Sequence, residues 1–299
     1  MIDQKLETLL AVNETKSFTK AAKVLNLTQP AVSQHIKMLE KDLGTQLFLR
    51  TEGALKTTVE GDIAVKYATR IKTLYQNLKQ AIEDQSTHLS RLVIGITHTA
   101  ESNYMIETLA KYSSENQDIL ITIISDTIKN LYKKLKTYEI DMAIVEGKII
   151  DSNFNHILLD TDYLILAVSK DNPLSKKKVV SIEDLKDEKL ILRLPNSDTR
   201  KLFASHLQSN GYSINELNIT LEVDNVSTIK DLIRQNFGSS ILPHSVLIDE
   251  IKKNKLIALP IENLTMSREV NLIYHKDFNY PELIQEIVSL YSCNQDRSI

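Results

Sequence analysis

A chain of 299 residues, 42% hydrophobic and 25% charged, can bury a core in more than one domain and carries no apolar tract of the roughly 18 residues that mark a membrane-spanning helix. One cysteine, Cys293, leaves no disulfide framework and no multi-cysteine metal site, and seven glycines nearly exclude a glycine-rich phosphate cradle. The net charge of −3 conceals an asymmetry: residues 16–56 hold seven basic and three acidic side chains, a local +4 that leaves −7 elsewhere, as suits an anion-binding module joined to an acidic body.

The opening MIDQKLETLL reads as an amphipathic helix over residues 3–13 that offers Leu6, Leu9 and Leu10 to a core. It carries acids where a secretory leader would carry bases, so a cytoplasmic location is expected. Ser17 stands before Phe18 as a helix cap, and Phe18, Ala21, Ala22 and Leu25 recur at helical spacing. The paired alanines let a second backbone approach closely, and Asn26 falls where the chain must reverse. Thr28 then caps a second helix, Pro30 lies in its first turn, and Gly44 ends it. Ala31, Val32, Ile36, Leu39 and Leu43 make its inward face, which leaves Gln29, Ser33, Gln34 and Lys37 outside. Taken singly, each of these is an ordinary solvated residue. On a helix that follows a tight turn they are the set that reads base edges in the DNA major groove: amides pair with adenine, and Lys reaches guanine or phosphate.

The stretch SFTKAAKVLNLTQPAVSQHIKMLEKDLGTQLFLRT resembles the amino-terminal signature of LysR-type transcriptional regulators, densely over about sixty residues. The resemblance implies an α/β protein built from an N-terminal winged helix-turn-helix (1–58), a linker helix and hinge (59–90) and a C-terminal effector domain (91–299). It further implies double-stranded DNA as partner, contacted by Ser17, Thr28, Gln29, Pro30, Ser33, Gln34, Lys37, Arg50 and Thr51. Homodimers, tetramers built from them, a small-molecule effector and RNA polymerase complete the implied partners; no cofactor and no membrane are expected.

Past Gly44, Leu47–Arg50 and Leu55–Thr57 flank a turn-forming TEGA, a hairpin that reads as the wing. From the residues alone, Arg50 is either a phosphate contact or an unpartnered surface arginine. A long helix follows to Asp84, capped by Thr57 or Thr58, and its Ala64, Tyr67, Ile71, Leu74, Leu78 and Ala81 form a heptad seam. Such a strip packs either on its own chain or on a second copy, and dimerisation is the better supported of the two. Polar residues 85–90 read as the hinge.

Short apolar strands then alternate with helices at 92–96, 119–124, 140–145, 163–168, 190–192, 219–223 and 270–274, which predicts parallel sheets covered on both faces. The resemblance, looser here, implies two periplasmic-binding-protein-like lobes, 91–161 with 268–292 and 162–267, joined by two crossing strands around an effector. Thr97, His98 and Thr99 follow the first strand; the two hydroxyls either cap a helix or hold an anion. Thr127 is a further hydroxyl, beside Asp126. Glu146 repels an anion unless protonated or paired, and suits an amine or a hydroxyl instead. In the second lobe Asn196, Ser197 and Thr199 open a helix and resemble the family's ligand-facing loop, Asn225 comes next toward the expected cleft, and Gly238–Pro243 resembles a structural turn of the family. Seven scattered histidines show no metal-binding or catalytic spacing, and no nucleophile motif is present, so no enzyme is expected. The competing class is a ligand sensor whose amino-terminal domain only joins proteins.

Overall fold

The computed structural model describes residues 3–51, 54–87, 90–100, 104–149, 151–278 and 281–296. It divides into two compact units, Met1–Arg91 with Lys133–Ile140, and Leu92–Tyr132 with Asp141–Ile299.

In the first unit, α1 (Gln4–Thr15) is capped by Asp3, α2 (Phe18–Leu25) by Ser17 and α3 (Gln29–Leu43) by Thr28, each accepting a backbone N–H of the first turn. An N-cap of this kind contributes about 1 kcal/mol. Asn26 (φ 54°) and Gly44 (φ 67°) end α2 and α3 in the left-handed region, where a β-branched residue would be strained. Leu9, Val12, Ala21, Ala22, Val32, Ile36 and Leu39 are buried together, and Phe18 meets Phe48 edge-on at 6.1 Å. Leu43, assigned inward by its spacing, is 53% exposed, because the three-helix core does not extend to the last turn of α3.

The wing is the antiparallel pair β1 (Phe48–Thr51) and β2 (Ala54–Thr57), with Arg50 opposite Leu55; the tip residues of TEGA, 52 and 53, lie outside the described residues. Thr58 caps α4 (Val59–Thr87) by accepting from Gly61 N at 2.8 Å, while Thr57 donates to Asp62 at 2.5 Å. The seam of α4 is shifted from its expected ends. Ala64 packs on the domain's own core, and the exposed strip runs Ile63, Tyr67, Ile71, Leu74, Leu78 and Ile82, each 45–65% exposed. The expected hinge at 85–90 is largely regular structure: α4 continues through Thr87, β3 begins at Ser90, and residues 88 and 89 lie outside the described residues.

The second unit is organised on one sheet, ordered β10-β6-β11-β5-β3-β4, with β9 also pairing β6. Its strands are β3 (Ser90–Ile96), β4 (Ile119–Ser125), β5 (Met142–Glu146), β6 (Phe154–Ser169), β9 (Ser240–Pro243), β10 (Leu256–Leu259) and β11 (Ser267–His275); β7 (Leu190–Leu192) and β8 (Ile219–Glu222) pair separately. The helices are α5 (Tyr104–Glu115), α6 (Ile128–Lys136), α7 (Ile182–Asp187), α8 (Asp198–Ser209), α9 (Val226–Arg234), α10 (Ile248–Lys252) and α11 (Pro281–Asp296). Cys293 falls in α11, and its side chain is outside the described part.

The expectation of parallel sheets needs correcting. β3 and β5 are parallel, as are β7 and β8, but β11 runs antiparallel to both β5 and β6. The reason lies in β6 and β11, which cross between the lobes instead of closing a strand-helix-strand unit. β6 pairs β11 over Phe154–Tyr163 and pairs β9 and β10 over Leu164–Ser169. Gly238–Pro243 is correspondingly more than a turn: β9 starts at Ser240, and Gly238 lies so close to the Lys189 carbonyl that an added Cβ would sit at 2.6 Å.

Two apolar cores follow along one face of this sheet. Met142, Ile144, Val270 and Leu272 pack with Met105 and Leu109 of α5 and Ile284 and Ile287 of α11. Leu164, Leu166 and Val168 pack with Phe203 and Leu207 of α8, while on the opposite face Ile165 and Ala167 meet Ile229 and Ile233 of α9. Full burial of such a side chain stabilises by about 1.5–3 kcal/mol. Tyr112 at the margin of the first core donates to Glu286 at 2.7 Å, and burial together with that carboxylate pushes its phenol up to about 12.

Candidate functional site

Two groups of polar residues stand out, one in each unit. On α3, Gln29, Gln34 and Lys37 are exposed and Ser33 is half-buried. Their side chains, with those of Arg50 and Thr51, form no hydrogen bond or ion pair among the described residues. Gln29, Ser33, Lys37 and Arg50 line one depression of about 170 Å³ between α3 and the wing, floored by Phe18, Ile36 and Phe48. Ser17, Thr28 and Pro30 differ in kind: the two hydroxyls accept from Lys20 N and Ala31 N at 3.3 Å, and Pro30 occupies the first turn, so all three fix the helix entries. Helix and wing thus bring Gln29, Ser33, Lys37 and Arg50, two of them cations, to one face, with full capacity toward an outside partner.

The expected effector residues behave differently, because six of the nine have side chains engaged inside the chain. Thr97 donates to Glu146 Oε2 at 2.5 Å, and Thr99 donates to Glu146 Oε1. Thr97 Oγ1 also accepts from Ala100 N at 3.2 Å, whereas α5 begins only at Tyr104 and residues 101–103 are outside the described part. Neither hydroxyl is therefore a free donor for an anion. Thr127 is exposed and its hydroxyl accepts from Asn130 N at 3.4 Å, an entry cap for α6. Ser197 caps α8 by accepting from Arg200 N, and Asn225 caps α9 by accepting from Thr228 N. Thr199 is buried, Asn196 is exposed and His98 is half-buried.

Glu146 is the centre of this second group. Arg268 Nη2 lies 3.2 Å from Glu146 Oε1 and 3.1 Å from Asp162 Oδ2, with the three side chains only 5–7% exposed. Register explains the meeting: Arg268 faces Asp162 across β11 and β6, and Val270, two residues on, faces Glu146 of β5. All three polar side chains consequently share the sheet face that carries the two apolar cores, and they form a polar seam between them. Asp162 also accepts from Tyr163 N at 2.8 Å and from Ser245 N and Oγ at 3.2 and 2.8 Å, which links the seam to the second lobe. Burial and this neighbouring carboxylate push the Tyr163 phenol up. Arg268, Asp162 and Ser245 were not singled out from the sequence. The available signal was an arginine and an aspartate in register with the apolar, core-facing residues of SREVNLIYH and TDYLILAV. In the second lobe Arg193, also buried, pairs with Asp224 at 2.9 Å, and Arg200 pairs with Glu222 at 2.5 Å.

Among the described residues no group of His, Cys, Asp and Glu side chains could hold a metal ion, and no helix is long and apolar enough to cross a membrane. Comparison with known families matches residues 4–62 to the bacterial regulatory helix-turn-helix protein model of the lysR family and residues 86–292 to the LysR substrate binding domain. A probable RuBisCO transcriptional regulator of Trieres chinensis is 29% identical over 276 residues, covering 90% of this chain and 89% of its own. The HTH-type transcriptional regulator CysL of Bacillus subtilis is 27% identical over 270 residues, with 90% and 89% covered. Among solved structures, full-length CbnR complexed with its target DNA superposes with a TM-score of 0.67 over 100% of both chains at 20% identity, a likeness of fold.

Proposed function

This chain belongs to the LysR family of DNA-binding transcriptional regulators with an effector-binding domain, and from that premise we propose which surfaces carry the two activities. α3 enters the major groove with Gln29, Ser33, Gln34 and Lys37 toward base edges, Ser17, Thr28 and Pro30 set its pose, and Arg50 and Thr51 of the wing meet the backbone or minor groove. The observation that carries this reading is the outward polar face of α3, whose side chains are unengaged beside a cationic wing. Full-length CbnR, which shares this fold, is solved in complex with its target DNA, and this supports DNA as the partner.

The exposed strip of α4 supports self-association: six large apolar side chains on one helix face are an unfavourable surface to leave in water, and a second α4 covers them. Dimers so formed present two recognition helices to a two-fold-related site, and pairs of dimers extend the footprint. A small cytoplasmic effector binds between the lobes, near the loops that carry Thr97, His98, Thr99, Thr127 and Glu146 on one side and Asn196, Ser197, Thr199 and Asn225 on the other. It shifts the lobes and with them the spacing of the DNA-reading domains at promoters bound by RNA polymerase.

The test is selection of duplexes from a random pool by the full chain, followed by anisotropy titrations over a range of salt. Sequence-selective, salt-sensitive binding is expected. Binding without sequence preference would overturn the proposed reading role of α3.

A further inference from the structure

The seam at Glu146 bears on the charge of a ligand held beside it. The inference rests on the reading that the effector lies between the lobes. A carboxylate accepts about four hydrogen bonds, two at each oxygen. Asp162 has all of them: Arg268 and Ser245 Oγ on Oδ2, Tyr163 N and Ser245 N on Oδ1. Glu146 accepts two, from Thr99 on Oε1 and from Thr97 on Oε2, with Arg268 Nη2 paired to Oε1 at 3.2 Å, which leaves acceptor capacity for a ligand. The hydroxyl protons of Thr97 and Thr99 both point at Glu146, so toward a ligand these threonines offer lone pairs alone. The pair of donors an anionic effector would need is already filled by the protein's own carboxylate.

Charge runs the same way. One guanidinium, Arg268, stands against two carboxylates, and all three are buried where the field is weakly screened. Asp126 adds a further acid one strand over, its N–H donating to Ile96 O at 3.0 Å next to Thr97. The arginines of the opposite lobe bring no surplus, since Arg193 and Arg200 each hold a carboxylate of their own. Lys148, two residues past Glu146, is exposed, so water and salt screen its ammonium. We propose that Glu146 acts as a built-in occupant of the hydroxyl pair and makes the cleft selective for an organic ammonium, excluding carboxylates and phosphates.

The test compares thermal shifts of the full chain, wild type against Glu146→Ala and Glu146→Gln, in ethanolammonium, putrescine, acetate and phosphate, each referred to potassium chloride at matched ionic strength. Either variant leaves Arg268 paired with Asp162, and the Gln variant keeps the volume should Ala fold poorly. The ammonium probes should raise the Tm of the wild type, and acetate and phosphate should not. Both variants should lose the ammonium response and gain one to acetate, largest in Glu146→Ala, where a carboxylate-sized void faces two freed hydroxyls. Acetate or phosphate raising the wild type as much as the variants, an ammonium shift that survives in Glu146→Ala, or a panel that separates none of the three proteins would each overturn the proposal. Duplex selection by the wild type alone, run in parallel, keeps this outcome distinct: a regulator that binds DNA selectively and is stabilised by phosphate loses only the charge assignment.

Discussion

The face of α3 and the loop ends of the effector domain contain similar residues, amides, hydroxyls and a few charges, and the structure puts them to opposite use. Gln29, Ser33, Gln34 and Lys37 have no partner within the chain among the described residues. Thr97, Thr99, Thr127, Ser197 and Asn225 are bonded to Glu146 or to the first turn of a helix. Residue type alone does not mark a recognition surface; unengaged hydrogen-bonding capacity does, because a polar group that already has its partner gains little by exchanging it for another. The α3 surface is ready for an outside molecule as it stands, whereas these loop ends of the effector domain already have their hydrogen bonds made.

That contrast can be broken most sharply at Arg268. Replacing it by Met leaves Glu146 and Asp162 as buried carboxylates without their shared cation, a change expected to cost about 3–5 kcal/mol in urea unfolding. A loss near zero would mean that the seam does not hold these groups in place. Next comes Gln34→Ala, expected to weaken binding to the selected duplex by about 1–3 kcal/mol while the unfolding midpoint stays put. An unchanged sequence preference in a gel-shift series removes Gln34 from the base contacts. Ser197→Ala should do the reverse, costing about 1 kcal/mol of stability through the lost cap of α8 with DNA binding intact. For Lys37→Ala the expected change is a log–log salt slope shallower by about one, with the ranking of duplexes preserved.

The smallest effect concerns a carboxylate with few donors. Asp141 is half-buried and accepts Val93 N at 2.7 Å, and burial pushes its carboxyl above the usual range despite that bond. The native state therefore holds this proton more tightly than the unfolded chain. Asp141 detracts from stability at neutral pH, and the deficit fades as pH falls through its raised value. Asp141→Asn should raise Tm slightly at neutral pH, with the gain shrinking on acidification; a gain that grows in acid would reverse the assignment.

Much of the amino-terminal unit was legible because local rules suffice there. Caps at Ser17 and Thr28, a left-handed Asn26, paired alanines and a stop at Gly44 each act within a few residues, and all appear as read. Leu43 was misplaced because periodicity says which face a side chain takes but not where the neighbouring helices end. In the effector domain, β9 and β10 are four-residue strands that depend on β6 for their pairing, and neither carries a pattern of its own. The seam was less visible still: Thr97, Glu146, Asp162 and Arg268 are brought together by strand register across more than a hundred residues. Sequence flagged Glu146 as an acid needing a partner, and the register of β11 supplies its cation, Arg268.

The strands β6 and β11 have a consequence for how the effector domain is made. Side chains on a strand alternate with a period of two, so a slip of a single residue in the β6–β11 pairing on one side of Asp162 would, if carried along the strand, turn Leu164 and Leu166 from their own core toward that of Ile165 and Ala167. An alignment error made in either half is thus penalised in the other, and the halves should melt together, as one cooperative block rather than two.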